Sequence, residues 1–172
     1  VEGGSQVLAY TVVLTRPPEE DVQVTASPAS PKESALAAGA KGIVLGTAAA
    51  MILSNGSPRG VTLVFTKDNW ASPQTVYVAA PDDLVAEGTK DYVVQHTVKQ
   101  GASADDGGAY DKLKVASLAV KVADSDVAGV IITETQGSTV VAEEWPTAPF
   151  NEDTYQVVLA KQPASNVTIA IG

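Results

Sequence analysis

Period-two alternation of apolar and polar positions runs through most of the chain and predicts strands. Leu8, Tyr10, Val12 and Leu14 fall on one face, with Ala9, Thr11 and Val13 opposite. Pro17 and Pro18 end that strand, because proline has no N–H to give a ladder. Val22, Val24 and Ala26 alternate with Gln23, Thr25 and Ser27, and Val61, Leu63 and Phe65 with Thr62, Val64 and Thr66. Lys67, Asp68 and Asn69 then form a turn. Val76, Val78 and Ala80 alternate with Thr75, Tyr77 and Ala79, and Tyr92, Val94, His96 and Val98 with Val93, Gln95 and Thr97. The glycine-rich stretch 101–108 is a loop, with Asp105-Asp106-Gly107-Gly108 as a hairpin turn. Leu113 and Val115 share one parity and Leu118, Val120 and Val122 the other, which predicts a β-bulge near Ala116 and Ser117. Short strands at regular spacing between turn signals predict an all-β, antiparallel sandwich.

Residues 28–58 break the pattern. Two prolines, Pro28 and Pro31, open the stretch, and alanine-rich residues 32–40 allow one or two helical turns. Residues 42–46 and 51–53 also suit a small hairpin. The stretch is expected to be a long insertion between the second and third strands.

Composition narrows the class. Among 172 residues there are 25 Val and 26 Ala, and the β-branched valines favour strands. A hydrophobic fraction of 45% allows a real core, and no apolar run is long enough to span a bilayer. The net charge of -9 disfavours nucleic acid, whose phosphates would be repelled, and anionic membrane surfaces. With no cysteine and one histidine, neither a disulfide framework nor a Cys/His zinc site can be built.

An internal repeat is visible. Residues 10–24 read YTVVLTRPPEEDVQV and residues 155–169 read YQVVLAKQPASNVTI. At a constant offset of 145, Tyr10 matches Tyr155, Val12 Val157, Val13 Val158, Leu14 Leu159, Pro18 Pro163 and Val22 Val167. The chain therefore reads as a nearly complete unit, 1–127, followed by the opening strands of a second, 128–172, within a longer array.

Four blocks resemble the Calx-beta family and its surface-repeat relatives. They are Val1-Glu2-Gly3-Gly4 with Tyr10 to Thr15; Leu63 to Trp70 followed by Pro73-Gln74-Thr75-Val76-Tyr77-Val78; Ala80-Pro81-Asp82-Asp83 with Glu87-Gly88; and Val120 to Asp126 followed by Gly129-Val130-Ile131-Ile132. The resemblance implies a seven-stranded, immunoglobulin-like sandwich serving as an extracellular spacer or adhesive module. In the sodium–calcium exchanger relatives it also implies a calcium site. Those ligand roles fall here on Glu2, on Asp82, Asp83 and Glu87, and on Asp124 and Asp126. Ser125 interrupts the terminal acidic run, and the acid expected after the second strand has no place because the 28–58 stretch lies there. Fewer ligands than in the exchanger site are expected.

Chemistry supports the same division of possibilities. Calcium takes six to eight oxygens, and two acidic loops of an antiparallel sandwich can meet at one end. Spacing alone also allows plain solvated acids at turns, where Asp is common. Asp124-Ser125-Asp126 is not an EF-hand start, because no glutamate stands at the twelfth position. His96 lies on the apolar parity of its strand and suits a core or edge better than catalysis. No Gly-x-Ser-x-Gly elbow, P-loop or dinucleotide fingerprint is present. Trp70 suits packing, and Trp145 suits packing between repeats. Asn55 and Asn166 fit the N-glycosylation pattern.

The expected protein is a non-enzymatic structural or interaction module of a long extracellular filament, wall or adhesin-type protein. Its partners would be neighbouring repeats of the same chain, with other surface proteins or glycans beyond them; nucleic acid and membrane insertion are not expected. Calcium would stiffen the junction between repeats. Alternatives are a glycan- or protein-binding module that uses the 28–58 insertion, and an accessory domain of a large secreted hydrolase.

Overall fold

A computed structural model describes residues 2–3, 7–49, 60–141 and 153–170. The elements in order are β1 (Leu8–Val12), β2 (Val22–Pro28), α1 (Glu33–Ala38), β3 (Val44–Gly46), β4 (Val61–Phe65), β5 (Gln74–Ala79), β6 (Lys90–Gln100), β7 (Leu118–Val122), β8 (Val130–Glu134) and β9 (Tyr155–Leu159). The fold is all-β, and every described strand pair is antiparallel. Three sheets result, with strand orders β1-β5-β3, β4-β2-β6-β7 and β8-β9.

The alternation in the sequence explains how the four-stranded sheet buries one face. Val22, Val24 and Ala26 of β2 stand opposite Phe65, Leu63 and Val61 of β4. On the other side they face Gln100, Val98 and His96 of β6. One parity of three neighbouring strands thus forms a largely apolar row, interrupted in β6 by Gln100 and His96, and all three β4 members of it are buried. The three-stranded sheet contributes Val76, Val78 and Leu45 to the same cluster, and Phe65, Val22, Val76, Leu45 and Val94 have no accessible surface. Trp70 packs against this cluster, in the packing role its turn suggested. Its turn is closed by Asn69, whose Oδ1 accepts the Thr66 N–H at 2.6 Å.

The 28–58 stretch is only partly an insertion. Glu33–Ala38 forms the short helix its alanines favour, and Gly39, at φ 106°, ends it in the left-handed conformation that lacks a Cβ penalty. The hairpin expected between 42–46 and 51–53 falls partly on 51–53, which lie outside the described residues, while residues 44–46 are described. They form β3 and pair with β5, Val44 opposite Ala79 and Leu45 opposite Val78. Leu45 and Ile43 are thereby fully buried.

Two further expectations change. The connection from β6 to β7 runs from 101 to 117, so 105–108 is part of a long loop and not a tight hairpin turn. The bulged strand expected from residue 113 begins only at Leu118. Tyr110 takes the core position instead: its OH donates to Arg16 O at 2.6 Å and its N–H to Gln100 Oε1 at 3.1 Å. Leu113 and Val115, freed from the core, are 50% and 40% exposed. Leu8 was expected inside with Tyr10 and Val12, but it is 57% exposed at the edge of its sheet.

Beyond β7, the chain enters β8 and β9, which pair only with each other among the described residues. β9 matches residues 10–14, of which 10–12 belong to β1, and is likewise a strand. The next strand expected near Asn166 is absent from the described residues 160–170.

Candidate metal centre

Three segments converge at one end of the seven-stranded body. Glu2 and Gly3 lie across the exits of two strands: the Glu2 N–H donates to Ala123 O at 3.0 Å and the Gly3 N–H to Ala80 O at 3.0 Å. Ala123 directly follows β7, and Ala80 directly follows β5. Gly3 is required there. Its φ is +61°, and an added Cβ would lie 2.7 Å from the Asp82 Cβ. The second segment carries Asp82, Asp83 and Glu87 out of β5. The third carries Asp124 and Asp126 out of β7 toward β8.

The convergence brings carboxylates together. Single oxygens of Glu2, Asp83 and Asp126 all lie within 4.8 Å of one another. Glu2, Asp83 and Asp124 are buried, and Asp126 is half-buried. Asp83 is oriented by two backbone donors, Lys41 N–H to Oδ2 and Val85 N–H to Oδ1, both at 2.9 Å. Asp124 shapes its own loop: Oδ1 accepts Asp126 N–H at 2.5 Å and Oδ2 accepts Gly88 N–H at 2.6 Å. Among the described residues, three buried side-chain oxygens have no protein partner, and they belong to Glu2 (Oε2), Glu87 (Oε2) and Asp126 (Oδ2). A buried carboxylate oxygen without a donor is costly unless a proton or a cation meets it.

Electrostatics reports the same crowding. Burial, then the charges of Asp83, Asp124, Glu87 and Asp126, push the Glu2 carboxyl up to about 7. Asp124 moves the other way. Burial alone would raise it, but the N–H groups of Gly88, Asp126, Glu87 and Val127 outweigh that and hold it below the ordinary aspartate value. The proton that this crowding favours on Glu2 is what a bound cation would displace.

The donor set consists of oxygen alone, which suits a hard divalent cation. Oxygens bound to one calcium at 2.3–2.6 Å lie no more than about 5 Å apart, so the 4.8 Å grouping fits a shared ion. Asp82 stands apart from the other acids named for this role. It is exposed, its Oδ1 accepts the Ser125 hydroxyl at 3.0 Å, and its carbonyl accepts Lys41 Nζ at 2.5 Å. Asp82 therefore braces the rim, while Glu2, Asp83 and Asp126 face one another at the centre and the charge of Glu87 adds to the field at Glu2. Ser125, which breaks the acidic run, ties the β7 exit to the β5 exit. Lys41 went unnoticed in the sequence because it lies some 40 residues from its partners.

The remaining candidates lie elsewhere. Asn166 is exposed on an irregular segment, and Asn55 and Trp145 lie outside the described residues. His96 bridges the two sheets through Tyr10, whose OH meets Nε2 at 2.9 Å, while Nδ1 meets Ala116 O at 3.2 Å. A carbonyl can only accept, so Nδ1 carries the proton and Nε2 accepts from Tyr10. This is a structural bond between sheets. Searches against protein-family models, curated proteins and solved structures find no significant match to the chain.

Proposed function

We propose that residues 1–127 are a Calx-beta-like, immunoglobulin-like sandwich, one repeat of an extracellular array protein, and that its acidic end binds calcium to stiffen the junction with the following repeat. The observation that carries this reading is the carboxylate group of Glu2, Asp83 and Asp126, drawn from three chain segments to within 4.8 Å of one another, with buried oxygens of Glu2 and Asp126 unpartnered. A divalent ion there would meet all three carboxylates and cancel their mutual repulsion. It would also cross-link the first residues, the β5 exit and the β7 exit.

The position suits the role. Asp126 belongs to the 123–129 link that runs from β7 into β8. On the far side of that link, Lys161 Nζ donates to Asp126 O at 3.2 Å. Ordering Asp126 therefore orders the entry to the second unit. The work is mechanical, and a nucleophile or general base has no part in it.

Calorimetric titration with calcium, paired with thermal melts in calcium and in EDTA, tests the reading. The expected result is a bound ion and a melting temperature raised by calcium and lowered by EDTA. Glu2→Gln and Asp126→Asn should each weaken binding by at least about tenfold, the loss of one carboxylate from a hard-ion site. No heat of binding, together with superimposable melts, refutes the calcium role.

A further inference from the structure

We propose that Asp124 is the positioning residue of the junction: its carboxylate clamps the link after β7 into a fixed turn and leaves one residue, Ala128, as the pivot before the β8–β9 ribbon. The inference deepens the junction reading above and rests on its division of the chain at 127. It assigns part of the stiffness to the protein itself, and it takes Asp124 out of the set of ion ligands.

The starting observation is that the accepting capacity of Asp124 is used up. An ionised carboxylate offers about four lone-pair sites on its two oxygens. Oδ1 of Asp124 accepts the Asp126 N–H at 2.5 Å, and Oδ2 accepts the Gly88 N–H at 2.6 Å. The N–H groups of Glu87 and Val127 also bond to it. Four backbone donors thus meet four sites. Asp124 is only 4% exposed, and a carboxylate tolerates such burial when its oxygens are met in this way.

The neighbouring acids differ. Among the described residues, Glu2 and Asp126 each keep a buried oxygen without a partner, and Asp124 does not. The carboxylates that gather within 4.8 Å of one another are those of Glu2, Asp83 and Asp126, again without Asp124. An ion could take an Asp124 oxygen only by releasing a backbone N–H, which would then lack its acceptor. Two acids that stand two residues apart therefore do different work. Asp126 faces the centre, and Asp124 holds the turn that carries Asp126 there.

The clamp reaches into two segments. Glu87 and Gly88 precede β6, and Asp126 and Val127 belong to the link. The residues beside Asp124 are fastened as well. Ala123 O accepts the Glu2 N–H at 3.0 Å, and the Ser125 hydroxyl donates to Asp82 Oδ1 at 3.0 Å. Each residue from 123 to 127 is thus tied to another part of the chain or to Asp124. On the far side, the Ala160 N–H donates to Gly129 O at 2.9 Å and fixes the start of β8 to the end of β9. Ala128 alone stands between the two anchorages, and Lys161 Nζ crosses them to reach Asp126 O at 3.2 Å. One residue has two soft dihedrals, so the ribbon has little freedom to swing. None of these bonds uses a cation.

Three measurements on the full chain in EDTA test the clamp. Amide hydrogen exchange needs no variant. Gly88, Asp126 and Val127 should exchange at least about tenfold more slowly than Ala128, and equal rates overturn the proposal. Asp124→Asn keeps one acceptor oxygen and turns an amide group toward the other donors. It should lower the melting temperature by at least about 3 °C, whereas Asp126→Asn, which takes a charge out of the crowd, should hold or raise it. The same response from both variants would make Asp124 an ordinary member of the acidic group and overturn the proposal. Because the chain has no cysteine, spin labels at Thr97→Cys and Gln156→Cys, both exposed, report the distance across the junction. The distance distribution should be at least about twofold broader with Asp124→Asn, since each link residue released adds two soft dihedrals. Lower stability alone would not broaden it, and equal widths overturn the proposal. All three results are read without calcium, so a failed clamp with calcium binding intact refutes the clamp alone, and a proven clamp without calcium binding refutes the calcium role alone.

Discussion

Glu2 offers the sharpest test of the acidic end, because its predicted behaviour reverses with the ion. In metal-free protein its carboxyl is pushed from 4.5 to about 7 by burial and by four neighbouring acids. Between those values the folded state holds a proton that the unfolded chain has released. Stability must then fall as pH rises through that window, because the native state binds more protons. A shift of this size corresponds to roughly 3 kcal/mol between pH 4.5 and 8. Glu2→Gln removes the ionisation and keeps the shape. In EDTA the variant should lose little stability over pH 5–8, and at pH 8 it should exceed the parent by up to roughly 3 kcal/mol. In saturating calcium the order should invert, because the parent gains binding energy that the variant cannot. Urea unfolding at several pH values, in EDTA and in calcium, measures both. Parallel pH profiles for parent and variant in EDTA would refute the crowding of charge at Glu2, and an unchanged order in calcium would refute the metal role.

Three other outcomes follow from the packing. Phe65→Ala empties a fully buried site that β2 and β4 share, and should cost about 3–5 kcal/mol in urea unfolding, with a loss under about 1 kcal/mol arguing against the two-sheet core. Tyr10→Phe removes the hydroxyl that bridges to His96 and should cost about 1 kcal/mol, with no comparable effect in a His96→Phe background. Gly3→Ala combines a positive φ with a Cβ 2.7 Å from Asp82, so it should lower stability by about 1–3 kcal/mol and weaken calcium binding. A fully neutral Gly3→Ala would show that the Glu2–Gly3 turn does not sit between the strand exits.

Strands were legible wherever one face is buried against a core. The parity of Val22, Val24 and Ala26, of Val61, Leu63 and Phe65, and of Tyr92, Val94 and Val98 matches the burial of those residues. Legibility failed where a position lies at an edge or where a loop competes for the core. Leu8 alternates correctly yet stays exposed, because edge strands have only one covered flank. Leu113 and Val115 alternate too, but Tyr110 fills the space with a larger side chain and two hydrogen bonds. A strand at 42–46 was readable as one arm of a hairpin, but its pairing with β5 was not, because three residues are too short to show which sheet they join.

The acids of the candidate site could be named from motif order, but their division of labour could not. Nothing in the order of residues 82–126 distinguishes Asp82, which braces a serine and a lysine, from Asp83, which is buried and aimed inward. Local sequence determines which residues alternate, where proline and glycine stop them, and that the pattern of residues 10–24 recurs at 155–169. These are properties of the backbone and of neighbours one or two positions apart. Which carboxylates keep an unpartnered oxygen and which one burial pushes toward its protonated form depend on segments 40 to 120 residues apart meeting at one end of two sheets. Burial and electrostatic crowding arise only from that meeting, so only the tertiary structure decides them.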